Sequence, residues 1–146
     1  MIRLLTFVAL GIALVSALAE AKSKRIHVTA EVKQATLIGD PGNPNIGDQR
    51  ITSVVLVADN GTEVGTGVGV CTLATSPGPE ALQQCLLTAA FDEGHIIFGG
   101  MALLPAPGAI AQFGILGGTE EFRKARGEAT LVITDTGDID STFGLE

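Results

Sequence analysis

Leu116-Gly117-Gly118-Thr119-Glu120-Glu121-Phe122-Arg123-Lys124-Ala125-Arg126-Gly127-Glu128-Ala129 is the stretch whose reading decides the fold. It reads as a strand end, a Gly-Gly turn, and a new strand opening at Phe122. Two glycines admit positive φ without a Cβ cost. Phe122 is expected to cap one end of a sheet. Ala125, Gly127 and Ala129 would share one face at period 2. Small residues on one strand face suit a tightly closed sheet or a close ligand.

Strand and turn signals continue outward from that stretch in both directions. Ile26, Val28, Ala30 and Val32 alternate with His27, Thr29, Glu31 and Lys33, which predicts a first strand over residues 26–37. Gly39 to Asn45 is rich in Pro, Gly and Asn and predicts a long rim loop. The pattern predicts a second strand over 47–59, the Asn60-Gly61 pair a type I′ hairpin, and a third strand over 64–73. Gly65, Gly67, Gly69 and Cys71 share one face of that third strand. Further strands are expected over 82–91, 95–104, 109–116, 122–134 and 139–145, with no convincing helix.

Eight short strands, each next to its predecessor, with turns spaced as in a sandwich or barrel, predict an all-β fold: an eight-stranded antiparallel up-and-down β-barrel. Such a barrel is just wide enough to be filled by side chains or to hold one small ligand. Several strands are apolar on both faces, Val54-Val55-Leu56-Val57 among them. The second apolar face predicts a homo-oligomer.

The 146 residues suffice for one domain. Met1-Ile2-Arg3, an uncharged apolar run from Leu4 to Leu18, and Ala17-Leu18-Ala19 read as a secretory signal peptide over residues 1–19. Residues 20–146 would then form the barrel, secreted or periplasmic, with no membrane span after cleavage. Loss of Arg3 moves the formal charge from −7 to −8. An acidic domain offers no footprint for nucleic acid. In an exported chain, the two cysteines, Cys71 and Cys85, are most simply one disulfide. That bond would contribute roughly 3 kcal/mol in the chain-entropy model. A catalytic thiol is the competing reading. The absence of Trp and Tyr argues against aromatic stacking cages.

The opening stretch resembles the signature of the dirigent and allene oxide cyclase barrels, roughly Gly-Gly-Thr-Gly-x-Phe/Tyr-x-x-Ala-x-Gly. Gly47-Asp48, Asp59 with Gly61, Val64-Gly65, Gly69-Val70-Cys71-Thr72, Cys85 and Gly99-Gly100 follow the same order. The resemblance covers residues 26–134, and Glu120 departs from it where the family has Gly. It implies a calycin-like eight-stranded barrel, dimeric or trimeric and free of cofactors, with an apolar or phenolic small molecule in the lumen. The implied activity is guided cyclisation or stereoselective coupling, a cyclase or isomerase chemistry of proximity and orientation. A non-catalytic structural or protein-interaction barrel of the cell envelope is the alternative.

Candidate site residues follow from side-chain chemistry. Glu31 is the best acid: a carboxyl in an apolar lumen could move a proton. A solvated pair with Lys33 is the competing and favoured reading. Asp48 and Arg50, at a strand start, could orient a polar substrate group at the mouth or form an exposed turn pair. Arg126, with Arg123, could bind an anion or close the barrel end. His27 and His95 have no partners at ligand spacing, so no metal is expected. Gly65 to Gly69 lacks the Lys of a phosphate loop, and residues 135–146 lack most ligands of a calcium loop.

Overall fold

The chain alternates inward and outward side chains from its first strand onward, and this alternation wraps it into a closed sheet. The computed structural model describes residues 23–103 and 105–146. The expected signal peptide and Leu104, the expected end of the fifth strand, lie outside the described residues. The strands are β1 (Lys24–Ile38), β2 (Gln49–Val57), β3 (Glu63–Leu73), β4 (Leu82–Phe91), β5 (Gly94–Leu103), β6 (Ile110–Gly118), β7 (Gly127–Ile133) and β8 (Ile139–Leu145). Each pairs antiparallel with the next, and β8 returns to β1 with Val28 opposite Ser141. The result is a closed eight-stranded antiparallel barrel in simple up-and-down order. Closure leaves no free sheet edge among these strands.

The two ends of the barrel differ. At one end five phenylalanines form a continuous chain of ring contacts. Phe91 meets Phe122 at 6.0 Å between centroids and Phe143 at 6.2 Å, edge-on. Phe98 meets Phe143 at 5.1 Å and Phe113 at 6.2 Å. Tilted and edge-on pairs at these distances add to the gain from burying the rings. Lys24 places its Nζ 5.4 Å from the Phe122 ring centroid and covers the plug from outside. The other end, formed by the loops β1–β2, β3–β4, β5–β6 and β7–β8, stays open. The barrel is a cup with an aromatic floor.

The stretch that decides the fold differs from its sequence reading in one respect. Phe122 does close the sheet end, and it is buried. It sits on a 3₁₀ turn, Glu120–Phe122, rather than on a strand, and β7 starts only at Gly127. Ala125 is therefore not a strand neighbour of Ala129. A ring that must fold under the barrel needs the chain to leave the sheet, and the short turn provides this. Phe122 N–H donates to Thr119 O at 2.8 Å and Ala125 N–H to Phe122 O at 2.8 Å. Thr119 ties the turn to β5: its N–H donates to His95 O, and its Oγ1 accepts His95 N–H, both at 3.0 Å.

A second difference lies in the hairpin after β2. Gly61 N–H donates to Ala58 O at 2.8 Å, and only Gly61 has positive φ there, +81°. The expected type I′ pair would need Asn60 at positive φ too. Asn60 instead accepts Thr62 N–H on its Oδ1 at 2.9 Å. The loop is one residue longer, a type I turn closed by a left-handed glycine.

Two positions of the β6–β7 connection give tests of opposite sign. Gly127 has φ +122°, and a Cβ there would lie 2.0 Å from Gly144 O. Gly127→Ala is expected to destabilise the barrel by more than about 1 kcal/mol. Glu120 is the one non-glycine with positive φ among the described residues, at 50°. Glu120→Gly is expected to stabilise by up to about 1 kcal/mol, because it relieves the left-handed backbone. Denaturant titration of both variants checks the pair.

Candidate functional site

The inward faces of the strands enclose a cavity of about 520 Å³ above the phenylalanine floor. Phe98, Phe113 and Phe143 form its base; Ala30, Val32, Val54, Leu56, Leu87 and Leu131 are among its walls. The glycine face of β3 is an inner face, as Gly67 and Gly69 line the cavity. A Cβ on Gly67 would lie 2.8 Å from the Val54 side chain, and one on Gly69 3.0 Å from that of Leu87. Those glycines give neighbouring side chains room to fill the wall. Pro105, Ala106, Pro107 and Gly137 stand at the rim.

Polar groups on this surface are few. Among the described residues Arg50 is its only charged side chain, joined by the inward side chains of Thr52, Gln83 and Ser141. Gln83 and Ser141 are buried. Gln83 Nε2 donates to Leu103 O at 3.2 Å, and Ser141 Oγ to Ile139 O at 3.4 Å. The Cys71–Cys85 disulfide joins register partners of β3 and β4 and faces the lumen. Its Cα–Cα distance is 4.1 Å, a little under the close spacing of facing antiparallel residues. The bond ties two walls of the chamber and leaves no free thiol among the described residues.

The structure separates the residues singled out in the sequence. Glu31 lies on the outer face, because its neighbours Ala30 and Val32 take the inner one. It accepts a hydrogen bond from Lys33 Nζ at 2.7 Å, and both side chains are substantially exposed. An acid role for Glu31 inside the lumen is thereby corrected to a solvated pair. Asp48 organises the β1–β2 loop: its Oδ2 accepts Asn45 N–H at 2.8 Å, and its carboxylate packs against Gly39. It does not line the cavity. Arg126 stands at the plugged end and donates from Nη1 to Ala125 O at 2.8 Å. Arg50 alone reaches the lumen. Thr52, Gln83 and the phenylalanine floor were not singled out in the sequence. Gln83 was accessible there through its period-2 relation to Cys85, once Cys85 faces inward.

His27 makes the main polar cluster outside the cavity. Its Nδ1 meets Asp59 Oδ1 and its Nε2 meets Asp140 Oδ1, each at 2.5 Å. The hydrogen bonds to Asp59 and then Asp140 raise its pKa above the usual 6.5. Its two nitrogens face different carboxylates, so the three groups do not converge on one ion. Among the described residues no set of three His, Cys, Asp or Glu side chains is placed to hold a metal ion. Among them, too, no helix is long and apolar enough to cross a membrane.

These features agree with what known proteins show. Residues 24–143 match the family model described as the allene oxide cyclase barrel like domain, and the chain belongs to that family. A solved structure named pyocyanin demethylase has 27% sequence identity and a TM-score of 0.72, covering 84% of this chain and 100% of its own. A structure described as a nonspecific heme-binding cyclase that catalyses a cycloaddition in neoabyssomicin biosynthesis has 19% identity and a TM-score of 0.73. The match covers 87% of this chain but only 65% of that one. A third, an exo-specific intermolecular Diels-Alderase, has 13% identity and a TM-score of 0.69, covering 84% of this chain and 97% of that one. At those identities the last two show the fold alone. No curated protein matches the chain significantly.

The His27 cluster yields a pH test. A histidine whose folded pKa is raised stabilises the fold fully below its unfolded pKa. That contribution is lost as pH rises through the higher folded value. Wild type is expected to exceed His27→Gln in thermal midpoint at about pH 5, with the gap closing towards about pH 9. Melting curves of both proteins across that range check it.

Proposed function

We propose that this chain holds an apolar or phenolic small molecule in its lumen and guides cyclisation or stereoselective coupling of that molecule. The observation that carries the reading is the chamber itself: a cavity of about 520 Å³, open at one end and apolar over most of its wall. Ligand sites of a few hundred Å³, mostly apolar with a few placed polar groups, have this character. Rigid walls and a closed floor restrict a reactive substrate to few conformations, and that restriction is itself catalytic. The cyclase and Diels-Alderase structures with this barrel support a reaction of that class. On this reading the protein works as a cofactor-independent cyclase or isomerase.

The same proposal includes export and self-association. The N-terminal signal reading supports a secreted or periplasmic location. The outward residues of β2 to β5, such as Ile51, Val68, Leu86 and Met101, include no Asp, Glu, Lys or Arg along those four faces except Glu63 at one strand end. Val68, Leu86, Met101 and Leu103 are about half exposed. An uncharged apolar face of this extent supports a dimer or trimer of the chain. The competing role, a structural barrel of the cell envelope, needs no chamber.

Ala111, on the cavity wall of β6, gives the direct test. With no Trp or Tyr in the chain, an environment-sensitive apolar dye can be read without protein background. Wild type is expected to bind such a dye. Ala111→Phe, which puts a ring into the chamber, is expected to weaken binding at least about tenfold with its fold intact. Equal dye binding by both proteins would argue that the dye sits elsewhere and that the chamber is not the site.

A further inference from the structure

We propose that the natural ligand is an anion: a largely apolar small molecule bearing one planar oxyanion, carboxylate or phenolate, which Arg50 holds at the mouth of the cup. This deepens the lumen-binding reading above and rests on it.

Arg50 sits near the open end of β2, between register partners Leu37 of β1 and Cys71 of β3, both without charge. Its inward direction is set by period 2, because Thr52, Val54 and Leu56 follow it on the cavity wall. Among the described residues its guanidinium makes no hydrogen bond, and no carboxylate lies within ion-pair distance of it. Asp48, the acid nearest in sequence, is held in its loop by Asn45 N–H and by packing on Gly39. A guanidinium carries five donors in a flat fork that matches a carboxylate and is weakly hydrated, so a partner anion costs it little water. Over an apolar wall the attraction is also less screened than in bulk water.

The rest of the chamber sorts ligands by charge. Among the described residues no Asp or Glu lines it, so a cationic ligand would meet Arg50 and find no partner. Thr52 lies one inward position below Arg50, and Gln83 uses its amide N–H on Leu103 O, which leaves its carbonyl oxygen to accept from a hydroxyl or N–H of the ligand. Below these groups the wall is apolar down to the phenylalanine floor. The arrangement fits a molecule with its acidic group at the rim and its hydrocarbon or ring portion down, and the expected order of affinity is anion, then neutral, then cation.

The test compares three probes that share one body: anthracene-9-carboxylate, 9-anthracenemethanol and 9-anthracenemethylammonium. Wild type is expected to bind the carboxylate at least about tenfold more tightly than the alcohol, as a charge-assisted hydrogen bond gives, and the ammonium most weakly. Arg50→Gln is expected to bring the ratio of carboxylate to alcohol affinity close to one. Arg50→Lys separates the two oxyanion sources. A bidentate carboxylate loses most of its advantage with Lys, whereas a hydroxycoumarin titrated through its phenol ionisation keeps the gain of its phenolate. Should Arg50→Gln fail to fold, the three-probe order in wild type still decides. Alcohol binding with no advantage for the carboxylate, or an advantage that survives Arg50→Gln, would overturn the anion proposal and leave the lumen reading standing. Binding of no probe, or binding untouched by Ala111→Phe, would overturn both.

Discussion

The aromatic plug is the interaction on which the rest of the structure depends. Phe91, Phe98, Phe113, Phe122 and Phe143 come from four strands and from the 3₁₀ turn, and they meet only when the sheet has closed. Each buries a large apolar surface, so the plug rewards closure and fixes which end of the barrel is shut. It also determines what the barrel can hold. A barrel of this size with bulky residues throughout would be a filled core. Here the bulk is gathered at one end, and glycine and alanine line much of the remainder, so space is left above the floor. The turn at Glu120–Phe122 belongs to the same device, as it folds the fifth ring beneath the strands.

The chamber then follows from strand alternation. Each strand gives every second residue to the interior, and among those that line the cavity only Arg50 of β2, near the rim, is charged. The disulfide between Cys71 and Cys85 holds the wall beside that arginine. Apart from Arg50 and Glu63 at the start of β3, the charged residues among those described stand on β1, β7 and β8 or in the loops and turns at the two ends. A polarity arranged in this way leaves β2 to β6 with an outer face free of Asp, Glu, Lys and Arg except Glu63 at one strand end. The chamber and that face account for most of what the barrel offers to other molecules.

Much of this was legible in the sequence, for physical reasons that particular residues show. The period-2 pattern in Ile26–Val32 and the small face Gly65, Gly67, Gly69 and Cys71 mark strands and their two faces, and the order of turns points to an up-and-down barrel. The facing pair Cys71 and Cys85 was legible through neighbouring strands. The plug was not, because its phenylalanines lie far apart in the chain and one leaves the strand pattern. Phe122 read as the first residue of a strand, since alternation alone does not reveal a turn driven by burial. Glu31 read as a candidate acid because a single strand does not declare which face is inside; the alternation of Ala30 and Val32 with it resolves that only once the barrel is closed. Arg50 read as a cation at a strand start and Arg126 as one within the signature strand, and only the closed barrel shows that the first stands at the open end and the second at the plugged end.

The central claim is that the space above the phenylalanine floor exists to hold a small molecule. Native mass spectrometry of the protein purified from its own host tests it most directly. The expected result is a small molecule retained at one per subunit, released when the barrel is unfolded and missing from the Ala111→Phe protein. A subunit mass equal to the bare chain, with no small molecule retained or taken up from an extract of that host, would contradict it.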